Sequence, residues 1–461
     1  MTPQSDFVAK ARQLMEEGRH GEARKLLESL TSVHYLPAPL KVTLYQLLGE
    51  ACSGLNDLTA ALDYLTRGHK LAGKDDPQRA ELALSLANLH YDLLNLKEAV
   101  KYCEEAIQRF AQSDPIATAR ALNLAGLIHL DSWKLEQARF LIEEALNIRK
   151  RFKGHEKLGS GIGDSYNNLG ELFRQMGDID QAKGYYQKAQ EVYATLNDKF
   201  GLAIVFNNLA MVTADYNPDM AQDFFQAAQR MFQELQTLDL EMNLDYAMFQ
   251  LKCNDLAEAG RVLAEIRNKV PPGVCRLRVQ YALALGVLHL LEHNPGQADR
   301  VLREVLDSVR GKRAGMLELE LFLRASEASW GRYRISHDLS YLEVASDLLK
   351  HAHSVTILMK KSTLAIELQI LQSLVARARG NLVQAEEFLD KALVDAKELP
   401  VELRDKMVNL IRDQMNKLRK SKTKDKGSSL SSEEDVFSYL RKIGNLINSP
   451  AGPDSSRAAT T

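Results

Sequence analysis

Two strings in this chain carry residue types at spacings that could do chemistry. His289-Leu-Leu-Glu292-His293 spells H-x-x-E-H. On a helix those imidazoles stand one turn apart and could share a zinc ion, with Glu292 as general base of a hydrolase. No third ligand is evident. His289 falls three residues after Leu285-Gly286, at a packing position, and His293 lies at the turn into Asn294-Pro295-Gly296, so a packing histidine is the preferred reading. Gly159-Ser160-Gly161-Ile162-Gly163 precedes a predicted helix, where backbone amides can cradle a phosphate. It follows no predicted strand and lacks a Gly-Lys-Ser/Thr ending. Linker flexibility at a long junction explains it better. Just upstream, Arg149, Lys150, Arg151, Lys153 and Lys157 form a basic cluster. It reads as a solvated helix end, where cations suit the dipole, or as a docking patch for an acidic partner. Cys52, Cys103, Cys253 and Cys275 are scattered, with no C-x-x-C pair. No Ser/His/Asp or Cys/His set is arguable, so no catalytic residue, metal or cofactor is expected.

The whole chain bounds what could position such groups. It has 461 residues, 45% hydrophobic and 26% charged, the balance of a folded globular protein. With 59 basic against 61 acidic residues the formal charge is −2, which gives no overall pull toward nucleic acid or anionic lipid. The start, MTPQSDFVAKARQ, lacks the basic and apolar regions of a secretory signal. The apolar run Ala282 to Leu291 is far shorter than the roughly 20 residues of a membrane span. Few cysteines and no such signals lead to the expectation of a cytoplasmic protein.

A periodic ladder organises the rest. Ala23, Ala61, Ala99, Ala138, Ala182, Ala221, Ala259, Ala298, Ala345 and Ala385 recur at intervals of 38, 38, 39, 44, 39, 38, 39, 47 and 40 residues. Four places after each rung stands a larger side chain, among them Leu65, Cys103, Ile142, Tyr186, Phe225 and Leu302. Seven places on, a small or aliphatic residue recurs, as in Ala106, Ala145, Ala189 and Ala228. Spacings of four and seven put all three on one helical face. Twelve to thirteen residues before several rungs lies Leu48-Gly49, Leu169-Gly170 or Leu285-Gly286, with Leu86-Ala87 and Ala125-Gly126 as variants. Between pair and rung come short polar turns rich in Gly and Asn, so each unit is helix, turn, helix. No sustained period-two alternation is present, and no β-sheet is expected.

These residues resemble the tetratricopeptide repeat, whose pattern joins a Leu-Gly pair and aromatic to an Ala-x3-aromatic-x2-Ala run. Leu169, Gly170, Phe173, Gly177, Ala182, Tyr186 and Ala189 match it in register. Two departures stand out: the spacing is nearer 39 than about 34, and the ninth unit has lost its Leu-Gly pair and gained an insertion around Trp330 to His337. HEAT-like repeats are the competing family reading. The resemblance implies an all-α, right-handed superhelical solenoid of about ten repeats over residues 4–395, with first helices lining a concave groove. Groove positions carried over from it are Asn88, Asn123, Asn168, Glu171, Arg174 and Asn208. Carboxamides donate and accept, so a ladder of them can grip a peptide backbone whatever its side chains. The alternative is that they satisfy groups between helices.

Residues 400–420 read as a capping helix with Leu403, Met407, Leu410, Ile411 and Leu418 on its stripe, and 421–434 as a flexible linker. Residues 435–448 form an amphipathic segment resembling the lead helix of GAF sensor domains in bacterial regulators. In that case the chain is a piece of a longer signalling protein; otherwise the segment could fold into the groove. Residues 449–461 read as a disordered tail. The function expected is non-enzymatic binding of a protein or peptide, in intracellular signalling or transcriptional control. Pins-type scaffolds and Rap-type peptide-responsive regulators share the Asn-Asn-Leu-Gly arrangement, so a small-peptide switch is the alternative, ahead of a zinc hydrolase using His289, Glu292 and His293. Oligomeric state is left open.

Overall fold

A computed structural model of the chain describes residues 3–423, except 32–35, 75, 112, 153–158, 215, 274, 313–314, 357–362 and 400. Among the described residues there are twenty-one α-helices. They begin with α1 (Pro3–Glu16), α2 (His20–Thr31), α3 (Ala38–Gly54), α4 (Leu58–Leu71), α5 (Gln78–Asp92), α6 (Leu96–Phe110) and α7 (Pro115–Asp131). Next come α8 (Leu135–Arg151), α9 (Gly159–Met176), α10 (Ile179–Thr195), α11 (Lys199–Thr213), α12 (Pro218–Glu234), α13 (Leu240–Lys252) and α14 (Leu256–Ile266). The chain continues with α15 (Arg276–Leu291), α16 (Pro295–Val309), α17 (Gly315–Ser336), α18 (Leu339–Thr356), α19 (Thr363–Ala378), α20 (Leu382–Ala396) and α21 (Val401–Thr423). No described helix is long and apolar enough to cross a membrane.

The helices fall into two compact units. The first holds residues 1–176, 187–198 and 268–278; the second holds 177–186, 199–267 and 279–461. Within the first, α1, α3, α5 and α7 each touch the next odd helix. These odd helices form a wall, while each even helix packs against its neighbours in sequence. In the second unit α11 touches α13, and α17 touches α19, in the same manner.

All ten alanine rungs are fully buried. Nine of them are the fourth residue of an even helix, which fixes where every hairpin closes. The turn before the rung has a left-handed residue five places upstream: Asn56, Leu94, Trp133, Asn254 and His293 have φ between 57° and 62°. Next comes an N-cap in several hairpins, with Asp57, Asp255, Asn294 and Asn381 each accepting from a first-turn amide. Inside the hairpin the glycine of the Leu-Gly pair makes room for the large residue after the rung. A Cβ on Gly126 would lie 2.5 Å from Ile142 Cγ1, and on Gly49 2.4 Å from Leu65 Cγ. Where the first position is the larger Ala87, its core partner after the rung is the smaller Cys103.

The ninth hairpin keeps this logic. Ser326 donates from its hydroxyl to the Ala345 carbonyl at 3.1 Å, as Ser373 does to the Ala385 carbonyl at 2.8 Å. Ser373 stands twelve residues before its rung, the Gly49-to-Ala61 distance, whereas Ser326 stands nineteen before. The insertion therefore lengthens α17 and α18 beyond the contact without disturbing it. Trp330, inside that extension, is buried. At the far end α21 packs on α20, with Met407, Leu410, Ile411 and Leu418 buried in one cluster with Ala385 and Leu389. It extends three residues past the expected end. The linker beyond residue 423, the GAF-like segment 435–448 and the tail 449–461 lie outside the described residues.

The hairpin contact makes a stability prediction. Gly126→Ala should gain about 1 kcal/mol of helix propensity yet lose more to overpacking, typically about 1–3 kcal/mol. In urea unfolding followed by circular dichroism, the net change should be destabilising. The Gly126→Ala/Ile142→Ala pair should lose less than the two single losses added.

Candidate functional site

On the first unit's odd-helix wall, polar pairs stitch neighbouring helices together. Gln78 of α5 donates to Thr43 of α3 at 2.8 Å, and Arg120 of α7 to Glu81 of α5 at 2.8 Å. Ser165 of α9 donates to the Asn123 Oδ1 of α7 at 3.4 Å, while its own Oγ accepts from Arg149 at 2.7 Å. Arg149 also donates to the Gly161 carbonyl. It is buried, so the basic cluster is not simply a solvated helix end; Lys153 and Lys157 lie outside the described residues.

The Gly159–Gly163 string is likewise not a flexible linker. It is the first turn of α9. A Cβ on Gly161 would stand 2.8 Å from Arg149 Nε, and one on Gly163 2.5 Å from Tyr193 Cε1. Close approach of those two side chains explains these glycines better than flexibility. Tyr193 then donates to Asp164 at 2.7 Å. Burial pushes the Asp164 carboxyl up, opposed by that hydrogen bond and by Arg149.

The carboxamide and charged candidates divide between uses. Asn123 is buried and spent between α7 and α9. Asn168 is buried on α9. One turn on, Glu171 takes Arg174 through two bonds, at 2.7 and 2.6 Å, and Gln175 at 2.9 Å. Asn88 is exposed, with its Nδ2 on the Leu84 carbonyl at 3.2 Å. Asn208 lies in the second unit and is half-buried. Its neighbour Asn207, fourteen residues before rung Ala221 as Asn168 is before Ala182, is the buried one; it donates to Asp245 of α13 at 2.7 Å. Counting back from the rungs would have found Asn207.

At the C-terminal ends of α5 and α7 the first unit has a feature absent from the sequence reading. Asp92 and Asp131 are the last residues of those helices, each seven before its rung. Arg276 forms an ion pair with Asp131, and its guanidinium carbon lies 4.3 Å from the centroid of the Tyr91 ring. Asp92 keeps access to solvent, yet the protein packed around it pushes its carboxyl up to about 6, with Arg276 pulling the other way.

The second unit buries charge too. Arg324 of α17 pairs with Glu327 at 2.9 Å and with Glu367 of α19; Asp299 of α16 accepts from Arg303 at 2.8 Å and from Arg332 of α17. Breaking such a buried pair typically costs about 3–5 kcal/mol. His289 contacts Glu292 at 3.0 Å, and His293 is the left-handed turn residue before its N-cap. Among the described residues no three His, Cys, Asp or Glu side chains are placed to hold a metal ion.

The Asp92 shift makes a pH prediction. A folded-state value above the unfolded one, about 3.9, means the fold holds the proton more tightly. The chain is then steadier with Asp92 protonated, and that contribution is lost as pH rises from about 4 through 6. Asp92→Asn should raise the thermal midpoint at pH 7 and leave it unchanged at pH 4. Carboxyl NMR should show a midpoint near 6.

A family model for the tetratricopeptide repeat matches residues 161–234. No curated protein matches the chain. Among solved structures, a Rap protein complexed with Competence and Sporulation Factor is 13% identical, with 71% of this chain and 99% of that one covered, at a TM-score of 0.47. The Rap conjugation gene regulator of plasmid pLS20, in complex with the Phr* peptide, is 13% identical over 70% and 97%, at 0.49. Yeast Tom70 is 11% identical over 91% and 96%, at 0.40. The stretch holding α9 to α12 is thus tetratricopeptide repeat, in an all-α chain whose other hairpins share its order of small and large residues.

Proposed function

We propose that this chain is a non-enzymatic binding scaffold, a module of an intracellular signalling or transcription-regulatory protein, that takes an extended peptide or partner helix along its odd helices. The observation that supports this most directly is repetition. Ten buried rungs make rigid hairpins, and rigid hairpins present the same kind of polar face again and again. On the first unit Asn88, Asn168, Glu171 and Arg174 are the side chains proposed to meet a ligand, with Asn123 supporting them from its bond to Ser165; on the second unit it is Asn208. Carboxamides there suit a peptide backbone, and the Glu171–Arg174 pair suits charged side chains of either sign. Titratable groups elsewhere serve the fold: His69 and Arg79 both meet Glu105, at 3.1 and 2.8 Å, between α4, α5 and α6.

A random-peptide display selection against the purified chain tests this reading. Enriched peptides should lose at least tenfold in affinity, about 1.4 kcal/mol, in Asn168→Ala and Asn208→Ala. Affinity unchanged in both, with circular dichroism intact, would remove the groove assignment.

A further inference from the structure

We infer that Tyr91, Asp92 and Asp131 form an arginine site on the first unit's wall, that Arg276 fills it as an internal stand-in, and that the ligand it anticipates is an arginine-bearing peptide. The inference rests on the peptide-binding reading above and narrows it to a ligand class.

Three features of the site suit a guanidinium. Tyr91 offers an aromatic face at 4.3 Å, a stacking distance for a planar cation. Asp131 supplies a carboxylate in an ion pair where both side chains are largely shielded, 16% and 18% exposed. Asp92 is a second carboxylate whose field Arg276 feels. Both acids end a helix, so the negative ends of α5 and α7 converge on the same cation. The matching position, seven before the rung, is Gly54 in the second hairpin and Gln175 in the fifth. Paired acids there belong to the third and fourth hairpins together.

The occupant comes from a distant part of the chain. Arg276 comes from 145 residues beyond Asp131 in sequence. It opens α15 and follows the turn segment Asn268-Lys-Val-Pro-Pro-Gly-Val-Cys275, in which two prolines exclude helix and Gly273 is left-handed. Val270, Pro271 and Cys275 are buried beside it. Lysine lacks the planar fork that both stacks and pairs, so the site selects arginine over lysine.

A fluorescein-labelled peptide of residues 268–278 carrying Cys275→Ser is the probe, added to the full chain and followed by anisotropy. The wild-type site is filled in cis, so Arg276→Ala should bind the probe at least tenfold more tightly than wild type. Asp131→Asn placed on Arg276→Ala should abolish that gain, and a probe carrying Arg276→Gln should not bind. Arg276→Lys, which keeps the charge, should give a smaller gain of at least threefold and serves if Arg276→Ala does not fold. No gain in the folded variants, or a gain indifferent to Asp131→Asn, overturns the proposal. Peptides whose affinity depends on Asn168 would survive that result, so the two readings fail separately.

Discussion

The structure depends on one steric arrangement, repeated from hairpin to hairpin: a small residue on one helix lets a large one on the next approach its backbone. Gly49 against Leu65 shows it at its tightest, with the Ala61 carbonyl 3.4 Å from where a Cβ would be. The rung alanine has no room to grow, because it is wholly enclosed. Once that contact is fixed, the angle and register of the hairpin are fixed with it. Burying each leucine-sized partner contributes about 2 kcal/mol, and no larger core is needed. Small residues other than glycine also serve: Ala11 with Leu27, Ala87 with Cys103, and Ser326 on the Ala345 carbonyl.

Charge is distributed around this apolar scheme with two different purposes. Some of it is structural. Arg149 ties α8 to α9 through Gly161 and Ser165, and Asp299 gathers Arg303 and Arg332 from two helices. Such groups are partnered where they are enclosed, as the cost of burying an unpaired charge demands. The rest stands on the wall. Asn88 is exposed, and Glu171, Arg174 and Asp92 keep contact with solvent while set on rigid helices. A wall of that kind holds its side chains in place before anything binds, which lowers the entropy lost on association.

Arg276 belongs to both categories. Its pair with Asp131 is shielded enough to be structural, yet the site around it has more recognition elements than one structural bridge requires. An aromatic face and two helix-end carboxylates make a receptor for a guanidinium, and the chain supplies one from the first residue of α15.

The periodic alanines, their large partners and the glycine-containing pairs were all legible in the order of residues, because a helical hairpin repeats its own contacts at a fixed spacing. So were the turns that hold Trp133 and His293, since left-handed residues and N-caps are local chemistry. Helix content and the capping helix followed from the same local rules. Other features could not be read that way. Whether Gly161 and Gly163 mark a loop or admit Arg149 and Tyr193 depends on side chains from other helices. Whether Asn207 or Asn208 is buried depends on a register that one residue's miscount reverses. The meeting of Arg276 with Asp131 joins residues 145 apart, and no repeat of about 39 contains that separation. Sequence by itself therefore determined the hairpin and its packing code, which rest on contacts within a few turns of helix. Tertiary structure alone decided which polar groups are consumed between helices and which stay open to solvent, because that depends on where separate helices come to lie.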